Sequence, residues 1–583
     1  MKTIYQLDNA KVALNVALVF FVKNKSIVLS EYPLALSIIA GILRHNNIHV
    51  TICVEEISTC AQSKFEQYDV VAIYPMAATI IDIINLLNSY SSPSFKTVLF
   101  NSDQYQHEMI LCSPKASLYA VELMNSCSKL DYILLGECEY SFLKLMEVIF
   151  NRSSCKEVPM LMYRNRSDIV LSKKESVSID FSILPRIQRD YLEYEVNGNL
   201  NSFSTKITSS RGCPSGCLYC SEASVNIIDG GRKKPVIEDQ IDRFIDEIVY
   251  LQTEYKVIFF NIIDSSFESY GNQGIERMRY FCNEIISRKI NASFKIHLRI
   301  ATIGKLDKDF LILLKNAGVD VIITGVESGV ERELFFYTKK TSLLKNSKNV
   351  DYIDLNSDFF VLLGHMMFSP FLRLEDLYSK IDYLYNINRA WDFLNISNNL
   401  IVYRGTKLHD LIRTLNLEKP ISPIHATIPY SYEDQRVELV SELIGELKIK
   451  SSLFLDLNTL IYDSLNLLSR YKNKLNSEFH IYEKEFFCFN ELLDNVKNEL
   501  SELYFQYFVQ LVQDIEKENN NDVEIEDRRC SLYKEVKGQY ECLSCGLDEL
   551  LTFLEKKKLP FNKLYLKTWT SSINKANTAS GEV

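Results

Sequence analysis

The chain has 583 residues, with 65 basic and 75 acidic side chains and a formal net charge of −10. It lacks the basic stripe that a nucleic-acid binder needs to neutralise phosphates, which argues against dedicated DNA or RNA binding. Apolar residues at 47% and charged residues at 24% are ordinary globular usage, so neither disorder nor a fibrous architecture is indicated.

The apolar run Val12–Val22 could pass for a signal peptide. Asp8 and Lys11 precede it, however, Asn15 interrupts it, and Lys23-Asn24-Lys25 follows where small residues would mark a cleavage site. No stretch approaches the ~20 apolar residues of a membrane span, so no membrane partner is expected. In a cytoplasmic chain the 14 cysteines are expected to be thiols and metal ligands rather than disulfides.

Residues 12–150 alternate short apolar runs with amphipathic ones, the pattern of strands exchanging with helices around a parallel sheet. Strands are predicted at 14–22, 49–54, 69–74, 96–100 and 131–135, and helices at 33–44, 78–90 and 139–150. An N-terminal doubly wound Rossmann-like domain over 1–155 follows, and such sheets bind ligands at the carboxyl ends of their strands. Residues 156–203 form a connector with a small strand pair at 159–163 and 169–171.

A second alternating region, 204–412, has strands predicted near 204–208, 256–263, 294–300, 319–325, 358–368 and 393–403. Six such units match the partial (β/α)6 TIM-type barrel of the family that the cysteine segment described below resembles, and catalytic groups in barrels gather at the carboxyl ends of strands. Residues 413–583 are predicted as a C-terminal α-helical domain capping the barrel mouth, since Leu439, Leu443 and Leu447, then Leu500, Leu503, Tyr507 and Leu511, recur at helical spacing. The fold class is therefore α/β with an added helical domain.

Just after the first predicted barrel strand stands Ser-Arg-Gly-Cys-Pro-Ser-Gly-Cys-Leu-Tyr-Cys-Ser, residues 210–221. Cys213, Cys217 and Cys220 are thiols suited to an iron–sulfur cluster, and a four-iron cluster on three of them keeps one iron open. A zinc site or three structural thiols is the alternative, although a closed zinc site wants a fourth ligand nearby and the closest histidine in sequence is His297.

The x3, x2 spacing with an aromatic residue before the third cysteine resembles the signature of the radical S-adenosylmethionine (SAM) enzymes. The resemblance implies a 4Fe–4S cluster on Cys213, Cys217 and Cys220, SAM on the open iron, and reductive cleavage to a 5'-deoxyadenosyl radical. It also implies roles for the strand ends. Glu327 and Ser328, in Gly325-Val-Glu-Ser-Gly329, resemble the pair that holds the ribose hydroxyls and methionine moiety, with a helix cap as the alternative for Ser328. Arg299 is expected on the SAM carboxylate or else in a barrel-rim salt bridge, and Tyr219 near the adenine or else in the core. The Asp264–Glu268 segment stands where relatives carry Gly-Gly-Glu. His365 is read as a substrate contact or a structural histidine, and no catalytic residue is assigned.

Glu31-Tyr-Pro-Leu-Ala35 and Asp131-Tyr-Ile-Leu-Leu-Gly-Glu-Cys-Glu139 resemble the cobalamin-binding domain that precedes the radical domain in one large group of these enzymes. This implies cobalamin and methylation of an unactivated carbon in a peptide or secondary metabolite. Two departures stand against that group: no Asp-x-His-x-x-Gly motif occurs, and Asn101-Ser102-Asp103 replaces a glycine-rich loop. The alternatives are a radical enzyme without methyl transfer, catalysing rearrangement, cyclisation or thioether formation, and a non-catalytic metal-binding interaction protein. The expected partners are a small-molecule or peptide substrate and an electron donor such as flavodoxin or ferredoxin. Cys530, Cys542 and Cys545 in the tail are read as a zinc or auxiliary-cluster site, a redox couple, or unliganded thiols.

Overall fold

The computed structural model describes residues 14–23, 32–76, 79–91, 93–100, 116–172, 180–190, 192, 204–225, 237–474, 479–517 and 522–556. The first sheet has seven strands: β1 (Asn15–Val22), β2 (His49–Glu56), β3 (Val70–Tyr74), β4 (Lys96–Phe100), β5 (Tyr132–Leu134), β6 (Leu161–Asn165) and β7 (Asp168–Leu171). Their order is β2-β1-β3-β4-β5-β6-β7, with the first five parallel and the last two antiparallel. β1 is an almost unbroken apolar run, buried over all but its first residue, because helices cover both faces of a doubly wound sheet. The helices Leu34–His45 and Glu139–Asn151 lie where helical periodicity predicts them. The strand pair expected in a connector instead extends this sheet: Leu161 and Met162 of β6 pair with Leu134 and Ile133 of β5. Two short strands offset the exposed edge of β5 better than they would stand alone.

The second sheet holds β8 (Ser204–Ile207), β9 (Phe259–Ile262), β10 (Ser293–His297), β11 (Val319–Glu327) and β12 (Phe360–His365), all parallel and adjacent in sequence order. The predicted sixth barrel strand, 393–403, does not form. Asp392 accepts hydrogen bonds from Leu394 N (3.1 Å), Asn395 Nδ2 (2.8 Å) and the Tyr462 hydroxyl (2.6 Å), and so caps a buried helix, Phe393–Ser397. Phe393 stacks on Phe454 at 4.8 Å, so the apolar residues there serve helix packing. What remains of the strand is one parallel bridge, Phe368 to Asn399, and the pair Val402-Tyr403 with Thr427-Ile428.

Four helices, Gln435–Lys450, Leu453–Lys474, Phe479–Glu516 and Asp522–Lys556, make up the described tail. The tail does not simply cap the barrel mouth: its second helix, Leu453–Lys474, packs at the opposite end, while Asp434 accepts from Leu374 N (3.1 Å) and Phe508 lies 6.1 Å from Phe368, both beyond the carboxyl end of β12. Ser469 Oγ donates to the carbonyls of Asp320 and Asp358 (2.9 Å each), Tyr462 packs on Phe360 (5.5 Å) and the Arg470 guanidinium lies 4.0 Å from the Phe259 ring centroid. All four partners stand at or beside the amino ends of β9, β11 and β12, so this helix closes the base. The apolar side chains of Phe360–Leu363 and the long tail helices share one continuous apolar core with the first sheet. Among the described residues, no helix is long and apolar enough to cross a membrane.

Candidate active site

The cysteine segment leaves β8 through a buried polar knot. The Asp264 carboxylate, fully buried beyond the end of β9, accepts from Thr208 Oγ1 (2.9 Å), Ser209 N (2.8 Å), Ser209 Oγ (2.5 Å) and Ser210 Oγ (2.8 Å). With its lone pairs filled this way it is a structural clamp on the loop's departure. Ser210-Arg211 then pairs antiparallel with Ile237-Glu238, and Gly212 turns with φ +97°, a conformation glycine adopts without a Cβ clash. Arg211 donates to Glu139 at 2.6 Å with both side chains buried, which ties the loop to the start of the helix that follows β5. This seats the carboxyl edge of the first sheet beside the cysteine loop.

Cys213, Cys217 and Cys220 occupy the mouth of the barrel, with Cys217 buried and the other two partly exposed. Ser215 N donates to Cys213 Sγ (3.4 Å), Cys220 N to Cys217 O (3.2 Å), and Leu218 N to Tyr337 O (3.2 Å). Burial, reinforced by Glu327 and then Cys213, raises Cys217 while Lys339 opposes the rise; burial also pushes Cys220 up to about 12 against the backbone N–H of Ala223. Three soft thiols, a backbone N–H aimed at one sulfur and a lysine facing two of them fit a cluster whose assembly drives off their protons. Among the described residues, no three Cys, His, Asp or Glu side chains form a set for a single metal ion.

Glu327 ends β11 with φ +69°, at a register break between Gly325 and Glu327. A non-glycine residue there is strained and held by its surroundings. The Lys339 ammonium holds its carboxylate at 2.5 Å, and a Cβ on Gly325 would stand 1.9 Å from Glu327 Oε1, so glycine is what leaves the carboxylate room. Burial and Glu327 together push the Tyr219 hydroxyl well above its ordinary range, and the Tyr219 ring meets Tyr337 edge-on at 5.6 Å. Glu327, Lys339, Tyr219 and Cys217 thus form one cluster. Lys339 has no sequence signature, because it lies 12 residues beyond Glu327 across a turn and a short helix.

The other predicted residues stand elsewhere. Ser328 is fully buried: its hydroxyl donates to Glu333 (2.5 Å) and accepts from Val330 N (3.0 Å), so it faces inward. Glu333 also takes Lys380 Nζ (2.6 Å) and Ser369 Oγ (2.5 Å). Lys380→Met would leave that carboxylate buried without its cation, an expected loss of about 3–5 kcal/mol. Adding Glu333→Gln should restore part of it, as thermal unfolding of both variants will show.

Arg299 forms the rim salt bridge, donating Nε to Glu268 Oε1 at 2.6 Å and Nη2 to Ser269 O at 2.9 Å. Glu268 Oε1 also accepts from Thr302 Oγ1 (2.9 Å), whereas Glu268 Oε2, Ser266 Oγ and Ser269 Oγ are buried without partners among the described residues. His365 is buried beside Tyr383 with Nδ1 on Asn395 O (3.1 Å); burial, then Lys380, lowers its pKa to about 3, a structural histidine's environment. Cys488, Cys530, Cys542 and Cys545 are free and exposed on the tail helices. Glu31 and the Asn101–His107 segment lie outside the described residues.

Residues 207–353 match the model of the radical SAM superfamily. The chain carries a radical SAM domain. Domains of this superfamily use a 4Fe–4S cluster and SAM, and the matched span holds the three cysteines, Glu268 and Glu327.

Among known sequences, an anaerobic magnesium-protoporphyrin IX monomethyl ester cyclase from Synechocystis is 25% identical over 216 residues, 36% of this chain and 40% of that protein. A cytidylyl-2-hydroxyethylphosphonate methyltransferase from Streptomyces wedmorensis is 21% identical over 290 residues, 44% of this chain and 52% of that protein. The chain thus spans about half or less of the length of these relatives. Among solved structures, the cobalamin-dependent radical SAM enzyme OxsB with aqua-cobalamin and SAM bound superposes with a TM-score of 0.60 at 16% identity, over 98% of this chain and 85% of that one. The radical SAM methyltransferase TsrM from Kitasatospora setae, with cobalamin and a [4Fe–4S] cluster, gives 0.51 at 13% identity, over 69% and 75%. At these identities the likeness establishes the fold.

Proposed function

We propose that the protein is a radical SAM enzyme of the cobalamin-dependent kind, methylating an unactivated carbon of a small molecule or peptide. One observation carries the radical half: three cysteines at the barrel mouth beside a strained, lysine-held Glu327. When bound, the cluster supplies the electron that cleaves SAM. This chain's residues do the rest by position. Cys213, Cys217 and Cys220 would hold the iron, Lys339 fixes the Glu327 carboxylate as an acceptor for ribose hydroxyls, and Tyr219 closes the side of the site. The unpartnered Glu268 Oε2, 1% exposed as part of its residue, offers an acceptor for an ammonium group. Buried acceptors left open in this way are costly unless a ligand fills them.

Support for the cobalamin half comes from the 2-1-3-4-5 order of the parallel strands, which puts a ligand crevice at the switch point between β1 and β3. The Arg211–Glu139 pair seats this sheet's carboxyl edge against the cluster loop, and both superposed enzymes are named as cobalamin-dependent or cobalamin-bound. Cobalamin, when bound, carries the methyl group. Hydroxocobalamin is expected to bind in near-stoichiometric amount with a base-off optical spectrum and no protein histidine on cobalt. Equilibrium dialysis that retains no corrinoid would remove the methyl-transfer step and leave a radical enzyme of the non-methylating kind.

A further inference from the structure

The carboxyl ends of β11 and β12 are tied together by a buried lysine that the chemistry of the site does not use. Lys380, in the helix Leu374–Asn386, is fully buried and donates Nζ to Met366 O (2.6 Å) and to Glu333 Oε2 (2.6 Å). Glu333 Oε2 accepts in turn from the hydroxyl of Ser328, the residue after Glu327 (2.5 Å), and Met366 N donates to Glu327 O (2.8 Å). These bonds close a ring that runs from Glu327 to Met366, Lys380, Glu333 and Ser328, and back through the peptide bond to Glu327.

The ring includes the strained residue. Glu327 has φ +69° at a register break, and a non-glycine residue keeps such a conformation only where its neighbours fix it. Lys339 fixes the carboxylate at 2.5 Å; the ring through Lys380 fixes the backbone from which that carboxylate hangs. The helix that carries Lys380 is pressed against the same turn, since a Cβ on Gly329 would stand 2.9 Å from Lys380 Cα and 2.6 Å from Tyr383 Cβ. On the strand side, the fully buried Asn346 donates Nδ2 to Val326 O (3.2 Å). A buried ion pair often gives no more stability than an apolar pair of similar volume, so stability alone does not account for a lysine here.

We propose that Lys380 is a positioning residue for SAM: by joining Glu333 to Met366 it holds the Glu327–Ser328 peptide in place and so keeps the Glu327 carboxylate aimed at the ligand. The inference rests on the SAM-binding role given to Glu327 above. Lys380 itself stays out of the pocket, because its side chain is 0% exposed and its ammonium is bonded to Glu333 and Met366 O. Without the ring, the positive φ of Glu327 relaxes and the carboxylate leaves its target. SAM affinity then falls while the iron stays, since the cysteines stand on a different loop.

The test is Lys380→Met/Glu333→Gln, which removes both charges together and leaves neither buried alone. In cluster-reconstituted protein, KM for SAM in 5'-deoxyadenosine formation should rise about tenfold, with kcat within about twofold of wild type and iron content unchanged. The control is Leu493→Ala, a fully buried position of the tail helix Phe479–Glu516 outside the ring, which should lower the melting temperature and leave KM alone. Hydrogen exchange read by mass spectrometry without SAM should speed up about tenfold across 364–367 in the double variant and not in the control. Ser328→Ala cuts the same ring with the ion pair intact, and it decides the matter should the double variant not fold: KM should rise about threefold. An unchanged KM in the folded variant, an equal rise in Leu493→Ala, or unchanged exchange over 364–367 would overturn the proposal. If the unsubstituted protein neither binds nor cleaves SAM, the radical reading has failed, and the exchange measurement still decides whether Lys380 holds the two strand ends.

Discussion

Replacing Cys213, Cys217 and Cys220 together by Ala is expected to abolish iron binding and, with it, SAM cleavage. The thiols are the donors that the barrel mouth offers: Asp264 is filled by four hydrogen bonds, and His365 faces away with Nδ1 on Asn395 O. Anaerobic reconstitution followed by iron and sulfide analysis checks the first claim, and chromatographic assay of 5'-deoxyadenosine checks the second. A triple variant that kept its full iron would refute the cluster assignment. Folding should survive, because the clamp on the loop is Asp264 and the anchor is Arg211 on Glu139, neither of which involves sulfur.

Glu327→Ala is expected to weaken SAM binding about tenfold to a hundredfold while sparing iron content, which corresponds to a lost charge-assisted hydrogen bond of about 1.5–3 kcal/mol. Glu327→Gln keeps the size of the side chain and separates shape from charge, so it should fall between the two. Lys339→Met should act in the same direction through Glu327, since the ammonium at 2.5 Å is what fixes that carboxylate. It should also shift the midpoint potential of the cluster, because the positive charge facing Cys217 and Cys220 is removed. Titrations of SAM against each reconstituted variant decide the first point, and electron paramagnetic resonance during a redox titration decides the second. An unchanged dissociation constant in Glu327→Ala would remove this residue from the site.

The sequence by itself determined the two alternating sheets and the cysteine loop. Local patterns carry that information: the apolar run of β1, the 3.6-residue repeat of Leu34–His45, and a spacing of cysteines that needs no distant partner to be read. Tertiary structure decided what depends on who meets whom. Asp392 turned a predicted strand into a capped helix because Tyr462, from the tail, supplies the third hydrogen bond to its buried carboxylate. The tail helix Leu453–Lys474 closes the base of the barrel, since Ser469 and Arg470 find their partners at strand beginnings.

In the site, Ser328 looked like half of a ligand-binding pair, yet Glu333 and Lys380 draw its hydroxyl inward. Arg299 was open to two readings, a carboxylate ligand or a rim salt bridge, and Glu268 decides for the salt bridge. Lys339 was invisible because a lysine after a short helix is ordinary until a turn sets it against Glu327. Hydrophobic period and ligand spacing are local properties of a chain; the pairing of buried charges is fixed only when the fold has removed water from both partners, so it is legible only in three dimensions.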